Sequence, residues 1–270
     1  MIVGIDIGGS TTDAVLLNDG EFPVVTIEAN NPIAAAAGAL GKLVSDYDLS
    51  LDRITRVAAT GSGARALPAN LLGRPVTKVD EFTAIGIGGT SLAGMKDALV
   101  VSLGTGTAIV SVHGNRIEHF GGTGVGGGTL LGLSKHMLAV SKLETLEAMA
   151  RRGDLSRIDL TVGDIAGGPL GDLPPGTTAS NFGKLNSDAT PDDKALAIVN
   201  MIAEVVGVMS IASARACHQQ NIVLTGKLVR IVSFLRQVRH LERIFGPNFV
   251  IPSHAEYATA IGAARSVLQA

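Results

Sequence analysis

The sequence predicts an α/β fold of two related lobes facing each other across a cleft, and three observations lead there. Residues 2–17 and 99–112 state one plan twice: an apolar strand, a short turn of glycine and hydroxyl residues, then a second apolar strand. Residues 120–132, Phe-Gly-Gly-Thr-Gly-Val-Gly-Gly-Gly-Thr-Leu-Leu-Gly, put seven glycines ahead of a long helical pattern. At 270 residues the chain also exceeds the usual size of one compact core. Two glycine-tipped hairpins about one lobe apart imply two copies of one α/β unit.

Residues 1–95 form the first lobe. Met1-Ile2-Val3-Gly4-Ile5 opens a strand that turns through Gly8-Gly9-Ser10 into Asp13-Ala14-Val15-Leu16-Leu17 and stops at the turn signal Asn18-Asp19-Gly20. The alanine-rich residues 33–47 and residues 82–95 read as helices, with a strand at 53–60 between them. Residues 96–270 form the second lobe. Leu99-Val100-Val101-Ser102-Leu103 leads through Gly104-Thr105-Gly106 into Ala108-Ile109-Val110-Ser111-Val112 and the turn His113-Gly114-Asn115. Residues 130–150 are expected as one helix, closed by Arg151-Arg152-Gly153, where basic groups meet the negative dipole end and glycine caps. Residues 163–175 read as loop, Asn221-Ile222-Val223-Leu224-Thr225 as a buried strand turning at Gly226, and residues 258–268 as a terminal helix.

Composition excludes several functions. Lys and Arg number 22 against 24 Asp and Glu, so no basic surplus points to nucleic acid or an anionic membrane. Aromatic residues make up 3% and tryptophan is absent, which leaves no stacking platform for single-stranded nucleic acid. Cys217, the single cysteine, forms no internal disulfide and no thiolate metal cluster by itself. The opening strand pattern lacks the features of a signal peptide, and a cytoplasmic location is expected. Residues 195–216 are strongly apolar but interrupted by Asn200, Glu204 and Arg215, so they predict a helix buried in a lobe or against a second copy rather than a membrane span.

The chemistry concentrates at the turns. Glycines let backbone N–H groups approach anionic oxygens, and a helix starting near Thr129 adds unpaired donors at its positive end. The glycine segment therefore reads as a cradle for a polyphosphate. Asp6-Ile7-Gly8-Gly9-Ser10-Thr11-Thr12 and Gly104-Thr105-Gly106-Thr107 read as two further phosphate turns, although alternating Thr and Gly is also ordinary hairpin chemistry. Asp6, at a strand end, suits either hydrated Mg²⁺ or an Asx-type turn. Glu81 beside Asp80 has, from its neighbours alone, the position of a solvated charge at a helix start. Lys135 is as much a surface lysine as a phosphate ligand. The six histidines show no zinc-ligand spacing, and Gly61-Ser62-Gly63 lacks the preceding Gly-x of a nucleophile elbow.

The hairpin pair, with Thr225-Gly226 as an adenosine-side turn, resembles the sugar kinase, heat-shock chaperone and actin superfamily of ATP-binding proteins. Within it, Asp6-Ile7-Gly8-Gly9, Asp80-Glu81-Phe82, Gly104-Thr105-Gly106-Thr107, the run from Gly121 to Gly128, Thr178-Ala179-Ser180-Asn181-Phe182-Gly183 and Ala260-Ile261-Gly262-Ala263 look like type II pantothenate kinase, in family order and across almost the whole chain. The resemblance implies an actin-like, ribonuclease H-like fold with a nucleotide cleft between duplicated domains. It implies a homodimer that uses Mg²⁺ and ATP to phosphorylate the terminal hydroxyl of pantothenate, the opening step of coenzyme A synthesis. Glu81 falls at the family's catalytic base and Asp6 at the residue that holds Mg²⁺. Nucleotide contacts are implied at Asp6, Gly8, Gly9, Ser10 and Thr11, at Gly104, Thr105, Gly106 and Thr107, at Gly122, Gly124, Gly126, Gly127 and Gly128, and at Thr225 and Gly226. Acceptor contacts are implied at His119, Gly121 and Thr123.

Two positions depart from that family's pattern. Asp13 stands where a lysine usually follows the first phosphate turn, which adds repulsion toward phosphate unless magnesium or a donor compensates. Residues 10–17 instead resemble the start of the hydantoinase and oxoprolinase group of the same superfamily. His119 stands where an arginine contacts the carboxylate side of the acceptor, exchanging a permanent bidentate cation for a single donor. Arg116 lies nearby as a substitute. A related kinase with another hydroxy acceptor, and a nucleotide-dependent sensor or reactivating ATPase, are the alternatives these departures leave open.

Overall fold

The computed structural model describes residues 1–17, 22–28, 31–184 and 188–268; the turn expected at Asn18-Asp19-Gly20 lies outside the described residues. The first lobe is built from β1 (Ile2–Ile7), β2 (Thr11–Leu17), β3 (Val24–Glu28), α1 (Pro32–Asp46), β4 (Arg56–Thr60), β5 (Asn70–Leu71), β6 (Arg74–Lys78) and α2 (Glu81–Ala93). Its sheet runs β3-β2-β1-β4-β6-β5. Strands β1, β4 and β6 are parallel, and β2 and β3 run against them as a meander. Asn31 starts α1 by accepting the amides of Ile33 and Ala34, both at 3.1 Å, with Pro32 pre-set for the first turn.

The second lobe comprises β7 (Asp97–Leu103), β8 (Thr107–His113), β9 (Arg116–Thr123), α3 (Gly127–Leu138), α4 (Leu143–Ala150), β10 (Leu160–Thr161), α5 (Val162–Ala166), β11 (Thr178–Ser180), α6 (Pro191–Ala216), β12 (Asn221–Thr225), α7 (Val232–Phe245), β13 (Asn248–Val250) and α8 (Ala258–Leu268). Its main sheet, in the order β9-β8-β7-β12-β13, repeats the strand directions of β3-β2-β1-β4-β6 one for one. The duplication expected from the two hairpins extends to the whole sheet.

Both sheets are covered on two faces, which is why their central strands are nearly continuous apolar runs. Val3, Ile5 and Ile7 pack with Leu40 and Leu43 of α1. On the opposite face, Val15 meets Ala260 and Ile261 of α8. In the second lobe Leu99, Val101 and Leu103 meet Ile198 and Ile202 of α6, while Val100 and Val110 meet Ile85 of α2. Helix α6 is long and apolar enough to cross a membrane, yet it forms the core of this lobe and buries 67% of its most apolar window.

The two helices that lie between the sheets, α2 and α8, cross at small residues. Added Cβ atoms at Gly88 and Gly262 would collide with the carbonyls of Ala258 and Ala84 respectively. A division at residue 95 places α8 with the second lobe, but it packs on β1, β2 and β4 of the first.

Several expectations are corrected. The helix expected over residues 130–150 is two helices, because Ala139 takes the left-handed conformation (φ 57°) and its amide closes α3 on Lys135. Part of the loop expected at 163–175 is α5, capped by Thr161 and Asp164. Strand β9 was not expected: it is an exposed edge strand with few apolar residues, so it carries no alternating signal.

Candidate active site

A cleft of about 180 Å³ opens where the β1–β2 turn, the β7–β8 turn, the start of α3 and the turn after β12 meet. The amide of Gly8 closes the first turn on the Thr11 carbonyl at 3.0 Å. Gly226 has φ 89°, and a Cβ there would lie 2.5 Å from the Leu103 carbonyl, so only glycine lets β12 turn beside β7. Of the residues singled out in the sequence, Asp6, Gly8, Ser10, Thr11, Gly104, Thr105, Gly127, Gly128 and Gly226 line this cleft.

The glycine segment is not a free cradle. Gly127 donates its amide to the Gly104 carbonyl at 2.9 Å and Gly128 donates to Thr105 at 2.8 Å, so the first donors of α3 are used in holding the β7–β8 turn. A Cβ at Gly126 would stand 2.7 Å from the Gly106 carbonyl. These glycines let one loop lie flat on another. Gly121, Gly122 and Thr123 belong to β9, with Gly122 paired to Ala108 against the Thr107 carbonyl. Gly124 is exposed beyond them and outside the cleft lining. The helix begins at Gly127 rather than near Thr129, whose hydroxyl instead accepts the Gly126 amide at 3.3 Å.

Two hydroxyls expected at the nucleotide, Thr107 at phosphate and Thr225 on the adenosine side, are occupied elsewhere. Thr107 donates to the Val125 carbonyl at 2.8 Å, and the fully buried Thr225 donates to Val101 at 3.4 Å. Lys135 sits exposed in the last turn of α3 and does not line the cleft. Among the described residues, the amides of Gly9, Ser10, Thr105 and Gly106 enter no backbone hydrogen bond. They are the donors left for an anion.

Charge gathers at the cleft floor. Asp6 and Asp13 are directly paired across β1 and β2. Burial, then the negative charges of Asp13 and Glu81, push the Asp6 carboxyl up to about 7, and Lys227 acts in the opposite sense. Asp13 accepts from Thr26 at 2.5 Å and pairs with Lys227 at 3.0 Å. The donor that Asp13 requires thus comes from the other lobe. Lys227 was overlooked in the sequence, although it directly follows the Thr225-Gly226 turn. Asp6, Asp13 and Glu81 leave negative charge at the cleft floor that Lys227 alone does not balance.

At the start of α2, Asp80 accepts the amide and hydroxyl of Thr83 at 2.9 and 3.0 Å. Glu81, the next residue, enters no hydrogen bond among those described. Although Glu81 is exposed, local desolvation at the helix start raises its pKa above the ordinary value, with the charge of Asp80 adding to the shift. Its neighbour Phe82 stacks on His119 of β9, with ring centroids 3.9 Å apart and planes 12° from parallel. Arg116 is held by Glu118 at 2.6 Å.

The Thr178 to Gly183 motif is anchored on α6. Asp159, buried, accepts the Phe182 amide and the Asn200 side chain, both at 2.8 Å, while Asn181 donates to Glu204 at 2.8 Å. Burial raises the pKa of Asp159, and these donors oppose the shift.

Comparison with known proteins agrees with this architecture. Residues 95–263 match the Fumble family. The chain is 31% identical to the type II pantothenate kinase of Staphylococcus aureus strain USA300 over 250 residues, covering 88% of each protein. It is 30% identical to that of Bacillus cereus strain AH820 over 251 residues, 90% of this chain and 86% of the other. The activator of the 2-hydroxyisocaproyl-CoA dehydratase from Clostridium difficile, solved with bound ADPNP, shares the fold with a TM-score of 0.72 at 16% identity, over 99% of this chain and 94% of that one. The fold is that of the actin-like ATPases, and with a family match over more than half its length and relatives at 30 and 31% identity along most of it, this chain belongs to the type II pantothenate kinase (Fumble) family.

Proposed function

We propose that this protein is a kinase that transfers the γ-phosphoryl group of ATP to the terminal hydroxyl of pantothenate, giving 4′-phosphopantothenate for coenzyme A synthesis in the cytoplasm. The observation that carries this reading is the arrangement of two glycine turns with open amides on opposite lobes, Asp6 at the floor and Glu81 at the near end of α2. Phosphoryl transfer asks mainly for positioning and charge neutralisation, plus a base for the hydroxyl proton.

The Gly9, Ser10, Thr105 and Gly106 amides hold the β- and γ-phosphates, and the apolar Leu131, Leu143 and Leu228 line the nucleoside side of the cleft. Glu81 accepts the proton from the acceptor hydroxyl as its oxygen bonds to the γ-phosphorus. The bond to the β,γ-bridging oxygen breaks and ADP departs. Magnesium fits at Asp6, where it would neutralise phosphate charge.

A coupled ADP-release assay across pantothenate, pantetheine and other hydroxy compounds tests the assignment. Pantothenate-dependent release is expected, and no acceptor-dependent release from any compound would end the kinase reading. One observation favours a different acceptor as the second reading: His119 is stacked on Phe82 and Arg116 is paired with Glu118, so neither is set as a dedicated carboxylate clamp.

We infer a homodimer through α6, although most of its apolar surface is used inside the lobe; Val205 and Val208 remain exposed. Sedimentation should give two chains for the wild type and one for Val208→Asp. A dimer surviving that substitution would move the interface elsewhere.

A further inference from the structure

Lys227 is the one cationic side chain among the described residues that line the cleft, against the acidic Asp6, Asp13 and Glu256. It starts on the second lobe, in the short 3-10 turn after Gly226, and ends on the first. There its ammonium donates to the Thr11 hydroxyl at 2.5 Å and pairs with Asp13 at 3.0 Å. An ammonium has three N–H donors, so one remains after these two contacts. Asp13 does not depend on the lysine alone, because the same Oδ1 also accepts from Thr26 at 2.5 Å. The lysine side chain is 28% exposed where its partner carboxylate is 8% exposed, so the cation stands on the open side of the pair. A triphosphate entering a site with three carboxylates is repelled unless a mobile cation meets it.

We propose that Lys227 is a phosphate-binding residue of the nucleotide site, reaching from the second lobe to the triphosphate over the first phosphate turn, where its ammonium rests on Thr11 and where Asp13 competes with phosphate for it. This rests on the reading of the cleft as an ATP site. A purely architectural role is the rival: the Lys227–Asp13 pair would then only tie the lobes together, and either partner's loss would have the same consequence. Phosphate binding predicts opposite consequences for the two partners.

Isothermal titration of Mg-ATP and of adenosine into the wild-type protein, Lys227→Met, Lys227→Arg and Asp13→Asn separates these, with melting temperatures as a folding check. Lys227→Met should weaken Mg-ATP by ~10- to 100-fold, the size of a lost charge-assisted bond, and leave adenosine within about two-fold. Lys227→Arg should keep most of the affinity. Asp13→Asn should tighten Mg-ATP binding, because a carboxylate that repels phosphate and competes for the lysine is removed while the lysine stays. Should Lys227→Met not fold, Lys227→Gln is read by the same measurements. Equal weakening of Mg-ATP by the Lys227 and Asp13 variants, or equal loss of adenosine and ATP in Lys227→Met, overturns the proposal and leaves the ATP site standing. Failure of the wild-type protein to bind Mg-ATP removes the ATP site, and the proposal with it.

Discussion

Asp80 and Glu81 are neighbouring carboxylates at one helix start, and the helix uses only one of them. Asp80 caps Thr83, which leaves the Glu81 carboxylate available as a proton acceptor. Glu81→Gln should therefore lower kcat by ~10²-fold or more with ATP affinity nearly intact. Wild-type turnover in that variant would identify Glu81 as a solvated charge only. A base works deprotonated, and local desolvation with Asp80 alongside raises the pKa of Glu81. Wild-type kcat/KM should accordingly fall on acidification at a pH above the ordinary glutamate range, and the fall assigned to this residue should be missing from the Gln variant's profile. The acceptor end is tested at His119. If pantothenate is the acceptor, His119→Arg should lower its KM by providing a fixed bidentate cation, at the cost of the Phe82 stack. An unchanged KM would show that β9 does not meet the carboxylate side. Asp80, Glu81 and His119 all stood out in the sequence, with Glu81 marked as the base by family resemblance, whereas the capping of α2 by Asp80 needed the helix geometry.

The glycine segment shows at the scale of an element how composition reveals a site without revealing its job. Seven glycines in thirteen residues, 120–132, mark a segment whose Gly127 and Gly128 line the cleft. What the pattern cannot tell is whether an amide faces a ligand or another loop, because both need a bare Cα. In the structure Gly127 and Gly128 spend their amides on Gly104 and Thr105, and Gly126 lies against Gly106. Gly126→Val should thus displace the second phosphate turn as well as crowd the cleft. Loss of ATP binding is expected together with a stability loss of about 1–3 kcal/mol for an overpacked site, read as a lower melting temperature. Retained stability with lost binding would restore the simpler view that the loop touches phosphate directly. The same limit explains β9 and the break at Ala139: an edge strand with polar faces and a left-handed alanine leave no periodic trace.

Across the whole molecule, α2 and α8 join the lobes through a crossing with no room for side chains at Gly88 and Gly262. Gly262→Val should cost about 1–3 kcal/mol or more in unfolding by denaturant, because the obstacle is the Ala84 backbone rather than a movable side chain. A variant as stable as wild type would mean that the helices can separate freely. The repeated strand–turn–strand pattern, the two glycine turns and the apolar α6 were determined by the sequence itself, since each depends on local periodicity and on glycine at fixed places. Only the tertiary structure decided that α8 returns to the first sheet, that the glycine loop straps one turn to another, and that Lys227 of one lobe answers Asp13 of the other. Those facts join residues as far as 216 positions apart, as between Lys227 and Thr11, and contacts at that separation are set by how two sheets pack rather than by any pattern along the chain.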